Sequence, residues 1–485
     1  MRTSFSGIYI ALRALQAQQV SLDVTGHNVA NANNPNYSRQ VALHMATKPY
    51  PAPTMGYAPT KGQLGSGVEV SQIVRMRDAF VDLRLRQQLH GRNYWETLED
   101  GLRQVELFFN EPSENSISNA LDQLWDSLQD LSRDPELQAV REVVVQRAQV
   151  LVESIRGTRE QLQRLSENFN NNVVIKVDEI NVLAERLARL NTEIGKVTAT
   201  GSTPNDLLDT RDAILEELSK LVDIDVTQDY GNMVNVTIGG ASLVHRGTAY
   251  ALTVMTSEKD GYAGYEINRV VWAATGSEAR ITSGELGGMM AIRDQINGTA
   301  DIKGISQALD EWTMEFVNAF NDQHALGFDL YGNGGVGPAP FFTFNAKVPD
   351  DPDELFHAAR YIEVNAAIVE DVNLIRASSV GTAKGNGENA RRLAGLRSGI
   401  ISDQYNALIS TLGVQTQEAI RMTENQVVLE SHLRNLKESV SGVNLDEEMA
   451  NMIRFQHAYS AAARMMTAVD EALDIIINRL GVVGR

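Results

Sequence analysis

Histidines, cysteines, activated serines and clustered carboxylates build most catalytic and metal sites, and their placement in this chain leaves little to work with. Eight histidines stand at positions 27, 44, 90, 245, 324, 357, 432 and 457, with no HExxH and no close pair. The spacing that brings two imidazoles to one ion on a helix is therefore missing. The chain has no cysteine, which removes thiolate zinc sites, disulfides and thiol nucleophiles together. No GxSxG elbow and no GxxxxGK[ST] phosphate loop occurs. Gly332, Gly334 and Gly337 spell GxGxxG, but Pro338 follows at once and no strand and helix bracket the match, so it reads as a turn. Asp329 is the one aspartate between Gly327 and Gly337, too few for an EF-hand calcium loop. Acidic residues elsewhere sit beside arginines in helical stretches such as ERLARL, the pattern of a solvated face. No catalytic, cofactor-binding or metal-ligating residue is assigned, no cofactor is expected, and the chain reads as a non-enzyme.

With no chemical constellation to position, the elements themselves become the subject. The 485 residues can hold three or four domains, and 43% hydrophobic residues are enough for sizeable cores. The 43 basic against 62 acidic residues give a net charge of −19, without a local basic cluster, which excludes counterion-release binding of nucleic acid. No apolar run approaches the ~18 residues that span a bilayer, so no membrane insertion is expected. The opening MRTSFSGIYIALRALQAQQ carries Arg13 and a glutamine cluster within its apolar stretch and no small-residue cleavage pattern, unlike a cleaved secretory signal.

Helical periodicity dominates both ends, and strand-like alternation is confined to the middle, predicting a mainly α chain with β-containing middle domains. Ile8, Leu15, Leu22 and Val29 recur at sevenfold spacing with Leu12 beside them, and Ser6 can cap the start of that helix. Residues 40–70 are rich in Pro and Gly and read as an extended loop or short strands. Helical patterning from about Ile73 to Leu221 is broken at Gly91, at Glu111-Pro112, at Asp134-Pro135 and around Gly201 to Pro204. Alternation at Val222, Ile224 and Val226, then at Val234, Val236 and Ile238, predicts a small β unit before helices resume near Leu286. The expected division is 1–70, 71–222, 223–275, 276–326, 327–399 and 400–485.

The last helix carries the strongest pattern. Leu445, Met452, Tyr459, Met466, Leu473 and Leu480 recur every seven residues, with Phe455, Ala462, Val469 and Ile476 three residues later, and only Glu448 misses. Asn444 with Glu447 fits a capping box. Met449, Ala458, Ala463, Met465, Ala472 and Ile477 flank the seam, so the apolar face is wide and demands several neighbours. Burying one large apolar side chain contributes about 1.5–3 kcal/mol, while ordering each residue costs about 1–2 kcal/mol. On that balance the two tips are expected to order only when subunits associate, forming a coiled-coil-like inner layer.

The stretch GHNVANANNPNYSRQ, Gly26 to Gln40, suits a sharp helix exit in which Asn36 tolerates the left-handed conformation. It resembles the N-terminal signature of the bacterial flagellar axial proteins, A-N-x-N-T-P-G-Y-x-R-Q, in Ala30, Asn31, Asn33, Pro35, Tyr37, Arg39 and Gln40. Asn34 and Asn36 stand where the family has Thr and Gly. The run from Ser441 to Ile477 looks like the C-terminal end of the junction members of that family, as do SGELGGMMAIRD near 283 and GNGENARRLAGL near 385. The resemblance implies an extracellular, structural subunit of the flagellum, exported by the type III apparatus without a cleaved signal. It also implies a ring of copies of itself, with hook protein and a second junction protein as neighbours and a cytosolic export chaperone on the C-terminal helix. The implied assembly interface is Ile8, Leu12, Leu15, Leu22 and Val29 with Leu445, Met452, Phe455, Tyr459, Met466, Val469, Leu473, Ile476 and Leu480. A long hook or rod component is the alternative within the class, and a secreted enzyme with a site in the middle domains the alternative outside it.

Overall fold

The computed structural model describes residues 6–48, 65–256, 263–299, 303–334, 340–346 and 356–479. Helix α1 (Ser6–Ala30) leads into a turn and the antiparallel hairpin β1 (Gln40–Ala46) and β2 (Val68–Arg75), the strands that the Pro and Gly content allowed for. Ile73, expected to open the helical body, is inside β2. The body begins at α2 (Ala79–Phe109), capped by the Asp78 carboxylate on the Phe80 and Val81 amides. Gly91 does not break this helix: one glycine costs about 1 kcal/mol against Ala, which a 31-residue helix packed along its length absorbs. The breaks at Pro112 and Pro135 are real and separate α2 from α3 (Ile117–Arg133) and α3 from α4 (Gln138–Ala199).

Helix α4 has 62 residues, about 93 Å at ~1.5 Å per residue, and the rest of the body is laid along it. After α5 (Asn205–Leu221) come β3 (Asp225–Gln228), β4 (Val234–Ile238), β5 (Ala241–His245) and β6 (Thr248–Ala249), an antiparallel meander, then the hairpin β7 (Leu252–Thr256) and β8 (Asn268–Trp272). Three asparagines of α4 hold these strands by both faces of their amides. Asn170 donates to Glu266 O (3.0 Å) and accepts from Asn268 N (2.9 Å), and Asn181 does both with Leu252 (2.8 and 2.8 Å). Asn191 donates to the carbonyls of Val234 and Arg246 (both 2.8 Å) and accepts from Val234 N (3.2 Å). Each side chain replaces a missing strand neighbour for backbone groups that burial would otherwise leave unpaired. Asn191→Ala is expected to lower stability by about 1–3 kcal/mol, whereas Asn171→Ala, exposed on the same helix, stays within about 0.5 kcal/mol; denaturant titration reads the difference.

Helices α6 (Gly284–Asn297) and α7 (Ile305–Ala325) return across the body. Gly284 has φ +80°, and a Cβ there would lie 2.6 Å from Leu221 O, so the SGELGG segment needs glycine where α6 meets the end of α5. The strands β9 (Phe342–Phe344) and β10 (Ile362–Val364) flank α8 (Ala358–Tyr361), followed by α9 (Ala366–Glu370), α10 (Glu388–Ala394) and α11 (Ile400–Ser441). Trp125, Trp312, Phe316, Phe320, Phe341 and Phe342 form an aromatic cluster inside one apolar core that runs from Leu98 to Ala419. The Trp312 indole donates to Ile401 O (2.9 Å), tying α7 to α11. The last helix is α12 (Leu445–Asp474), which ends in a wider turn at Ile475–Arg479. The chain is thus mainly α with small sheets in its middle.

Candidate assembly interface

The two tips meet within one chain. Helices α1 and α12 run antiparallel: the Asn28 amide donates to Glu448 Oε2 (3.0 Å) at one end, and a Cβ at Gly7 would touch Val469 Cγ2 (3.2 Å) at the other. The expectation that the tips order only on association is therefore corrected. Each helix supplies the cover that the other lacks, and the hairpin adds a third wall through His44, which packs on Phe455 and bonds the Ser21 hydroxyl (2.8 Å).

On α12 Glu448, Ala462 and Leu473 are buried and Asn451, Met452, Phe455, Ala458, Ala463, Met466 and Val469 half-buried, a set centred on the register read from the sequence. Leu445, Tyr459 and Ile476 of that register are exposed, and Leu480 lies outside the described residues. On α1 the seam is different. Ala11, Ala17, Ser21, Val24, Thr25 and Asn28 are buried, while Ile8, Leu15, Leu22 and Val29 are half-buried and Leu12 is exposed. The large apolar stripe sits one residue, ~100°, round the helix from the face that is covered. Small side chains let α12 approach closely and leave the large ones at the side.

Apolar surface also remains on both flanks of the α12 seam. Met449 (58% exposed) and Ile453 (54%) lie on one side, and Met465 (44%), with exposed Ala461, Ala468, Ala472 and Ile475, on the other.

The Asn-rich motif joins this pair to the body through polar contacts. Asn28 uses its whole amide: Nδ2 donates to Gln40 O (2.9 Å) and Glu448, and Oδ1 accepts from Gln40 N (2.9 Å) and the Tyr37 hydroxyl (2.7 Å). Arg39 Nε donates to Glu448 Oε1 (2.8 Å), its guanidinium lies 3.3 Å from Glu447, and its amide donates to Ser441 O (2.9 Å). Gln40 exchanges bonds with Asp206 and Asn205 (3.0 Å each). Ser38 places its amide (3.1 Å) and hydroxyl (2.6 Å) on Asp209, which also pairs with Arg75 (2.7 Å). Asp212 pairs with Arg75 (3.0 Å), Arg77 (3.1 Å) and Arg211 (2.8 Å). Ala30, Asn33 and Pro35 are exposed, Asn31 donates to His27 O (3.0 Å), and the turn closes through the Asn36 amide on Asn34 Oδ1 (3.1 Å). Asn36 does not adopt the left-handed conformation; that side-chain bond makes the turn without it. Asn444 caps α12 on the Asp446 and Glu447 amides, while the Glu447 carboxylate turns to Arg39.

Asn28, Ser38, Arg75, Arg77, Asp209, Asp212 and Glu448 were missed in the sequence reading. The one available signal was Glu448, the lone misfit in an otherwise apolar register. Burial opposes the charge on Asp212, but Arg211, Arg77 and Arg75 outweigh it and hold the carboxyl below its ordinary value. Burial together with Asp206, Asp209 and Glu448 raises the Tyr37 phenol, keeping it a neutral donor. A carboxyl depressed in the fold stabilises it fully above the unfolded value, ~3.9, and that contribution is lost as pH falls through the folded value. The stability gap between the unaltered chain and Asp212→Asn is therefore expected to be constant near neutrality and to close in acid, read by urea titration at successive pH values.

This arrangement can hold helices in place, and it presents apolar faces. Among the described residues no group of three or more His, Cys, Asp and Glu side chains is placed to hold a metal ion.

Comparison with known proteins agrees along the chain. A family model described as flagellar hook-associated protein FlgK helical domain matches residues 102–342. Two others, the flagella basal body rod protein and the C-terminal region of the flagellar basal body rod FlgEFG proteins, match residues 8–37 and 438–480. Flagellar hook-associated protein 1 of Bacillus subtilis strain 168 is 33% identical over 100% of both chains. Those of Salmonella typhimurium LT2 and Escherichia coli K12 are 26% and 25% identical, each over 96% of this chain and 98% of theirs. The solved flagellar hook junction protein FlgK from Burkholderia pseudomallei shares the fold, with a TM-score of 0.61 at 16% identity over 74% of this chain and 100% of its own.

Proposed function

The chain belongs to the flagellar hook-associated protein 1 family, a structural component of the flagellar axis, and on that premise we propose that it forms the junction between hook and filament through its paired terminal helices. The observation that carries this reading is the bare apolar flank of α12. Helix α1 and the β1–β2 hairpin cover only the seam, and Met449, Ile453 and Met465 stay in water beside it. An exposed apolar face of this extent marks a surface made for partners. The half-buried Ile8, Leu15, Leu22 and Val29, with Leu12, extend that surface on α1.

The neighbours in this reading are other copies of the chain in a ring, with hook protein on one side and the second junction protein on the other. The terminal helices α1 and α12 face the axis, 71–222 and 276–326 with the return through α11 form the helical body, and 223–275 and 327–399 face outward. Before assembly the chain passes unfolded through the type III export apparatus to the cell exterior, and a cytosolic chaperone covers α12 by the same apolar flank. No catalytic step belongs to this function. Among the described residues no helix is long and apolar enough to cross a membrane.

Deleting the gene tests the reading directly. The expected phenotype is hooks without filaments, with flagellin released as monomer into the medium, and recovery when the gene is restored. Normal filaments in the deletion strain refute it.

A further inference from the structure

The seam between α1 and α12 has one chemical irregularity. Every residue of the α12 series 455, 462, 469 and 476 is apolar, yet the first member, at 448, is a glutamate only 2% exposed. Its two oxygens are taken by Asn28 (3.0 Å) and Arg39 (2.8 Å), and Asn28 is itself the last member of the α1 seam. The remainder of that seam is Ala11, Ala17, Ser21, Val24 and Thr25, in which only Val24 is a sizeable apolar side chain that could interlock with α12. Helices packed through small side chains fit nearly as well when shifted by seven residues, because every apolar position falls on another.

A shift of that kind is not neutral for Glu448. Moving α12 by one heptad along α1, about 10.5 Å at ~1.5 Å per residue, puts position 448 against Ser21 and strands the carboxylate away from Arg39. Ser21 already spends its hydroxyl on Ala17 O (3.0 Å) and His44 (2.8 Å). The shift the other way carries Glu448 past the end of α1. A buried charge without its partner is strongly disfavoured, so the penalty falls on the wrong pairings and not on the right one.

We propose that Glu448, held by Asn28 and Arg39, fixes the register of the terminal helix pair, and that the apolar seam supplies adhesion without register. Glu448 is a positioning residue: it decides which faces of α1 and α12 stand beside each other as flanks. The proposal concerns the single chain and does not depend on the axial reading above, so either can fail without the other.

The absence of native cysteines makes the register directly readable. A Cβ at Gly7 lies 4.0 Å from the Val469 Cβ, within the ~3.5–4.5 Å that a disulfide requires. Gly7→Cys is combined with Val469→Cys to report the observed register, or with Ala462→Cys to report the shifted one. Oxidation is carried out on the dilute, purified full chain, and intramolecular products are separated by mobility. With Glu448 present, the 7–469 pair closes and the 7–462 pair does not. In Glu448→Leu, closure of the 7–462 pair is expected to rise at least tenfold, corresponding to about 1.4 kcal/mol of register preference, and Glu448→Gln, which keeps the bond to Asn28, restores most of the 7–469 selectivity. Arg39→Met with Glu448→Leu leaves no buried charge unpaired, Glu447 being exposed, and decides the matter in the same way should the single variant unfold its tips. Exclusive 7–469 closure in both Leu-containing variants, or ready 7–462 closure with Glu448 intact, overturns the proposal.

Discussion

Ile453→Glu and Met465→Glu are expected to abolish filament assembly while the purified chain unfolds almost where it did before. Both side chains are about half exposed in the single chain, at 54% and 44%, so adding a carboxylate removes little packing and changes stability by within about 0.5 kcal/mol. In the axis the same positions are proposed to lie between copies, where an unpaired carboxylate loses its hydration at a cost of several kcal/mol. Repeated at every copy of a ring, that penalty prevents closure. Met466→Asp and Leu473→Asp are the contrasting pair: they sit in the seam, so they lower the stability of the single chain as well as blocking incorporation. Denaturant titration of each purified variant, with motility and electron microscopy of cells carrying it, separates the two classes. Full motility in both flank variants removes the flank from the interface.

The second large effect belongs to Asp209. This 5% exposed carboxylate accepts from the Ser38 amide and hydroxyl and from Arg75, and it lies 3.8 Å from Arg77. Asp209→Ala leaves the Ser38 amide and hydroxyl without this acceptor and Arg75 with Asp212 alone, and the expected loss is about 1–3 kcal/mol. Because the bonds join the motif after α1 to α5, the loss is local: the hairpin and terminal pair come away from a body that stays folded. Limited proteolysis is expected to cleave near Arg39 under conditions that leave the unaltered chain intact. Asp206→Ala is the control. Its carboxylate is 70% exposed and touches Gln40 and His27, and a loss of no more than about 1 kcal/mol is expected. Equal losses in the two variants contradict a buried junction at Asp209.

The α12 side of the intrachain helix pair was legible because its seam holds Met, Phe, Val and Leu at sevenfold spacing, residues that periodicity weighs heavily. The α1 side was not, for a reason of size. Its covered face is Ala, Ser, Thr and Asn, and the larger Ile8, Leu15 and Leu22 stand one position away, so the strongest apolar signal marks the side and not the seam. The β1–β2 strands were foreseeable from the loss of helical pattern, but the helix start after them was misplaced, since Ile73 and Val74 suit either period. The junction was hidden for another reason. Arginine next to aspartate, as in Asp209 and Asp212 with Arg211, reads as a solvated helix face until a tertiary contact buries it. Asparagine is as ambiguous. Asn170, Asn181 and Asn191 lie ten or eleven residues apart, close to three helical turns, which places them on one face. Nothing in the sequence marked the strands they would hold.

Those three amides make α4 more than a long helix. A free rod of about 93 Å bends gently along its length. Fastened at three points to two small sheets, the stretch between Asn170 and Asn191 has to break several hydrogen bonds at once before it can buckle. A bending load on that stretch is therefore expected to be shared between the helix and the two sheets, which act as braces.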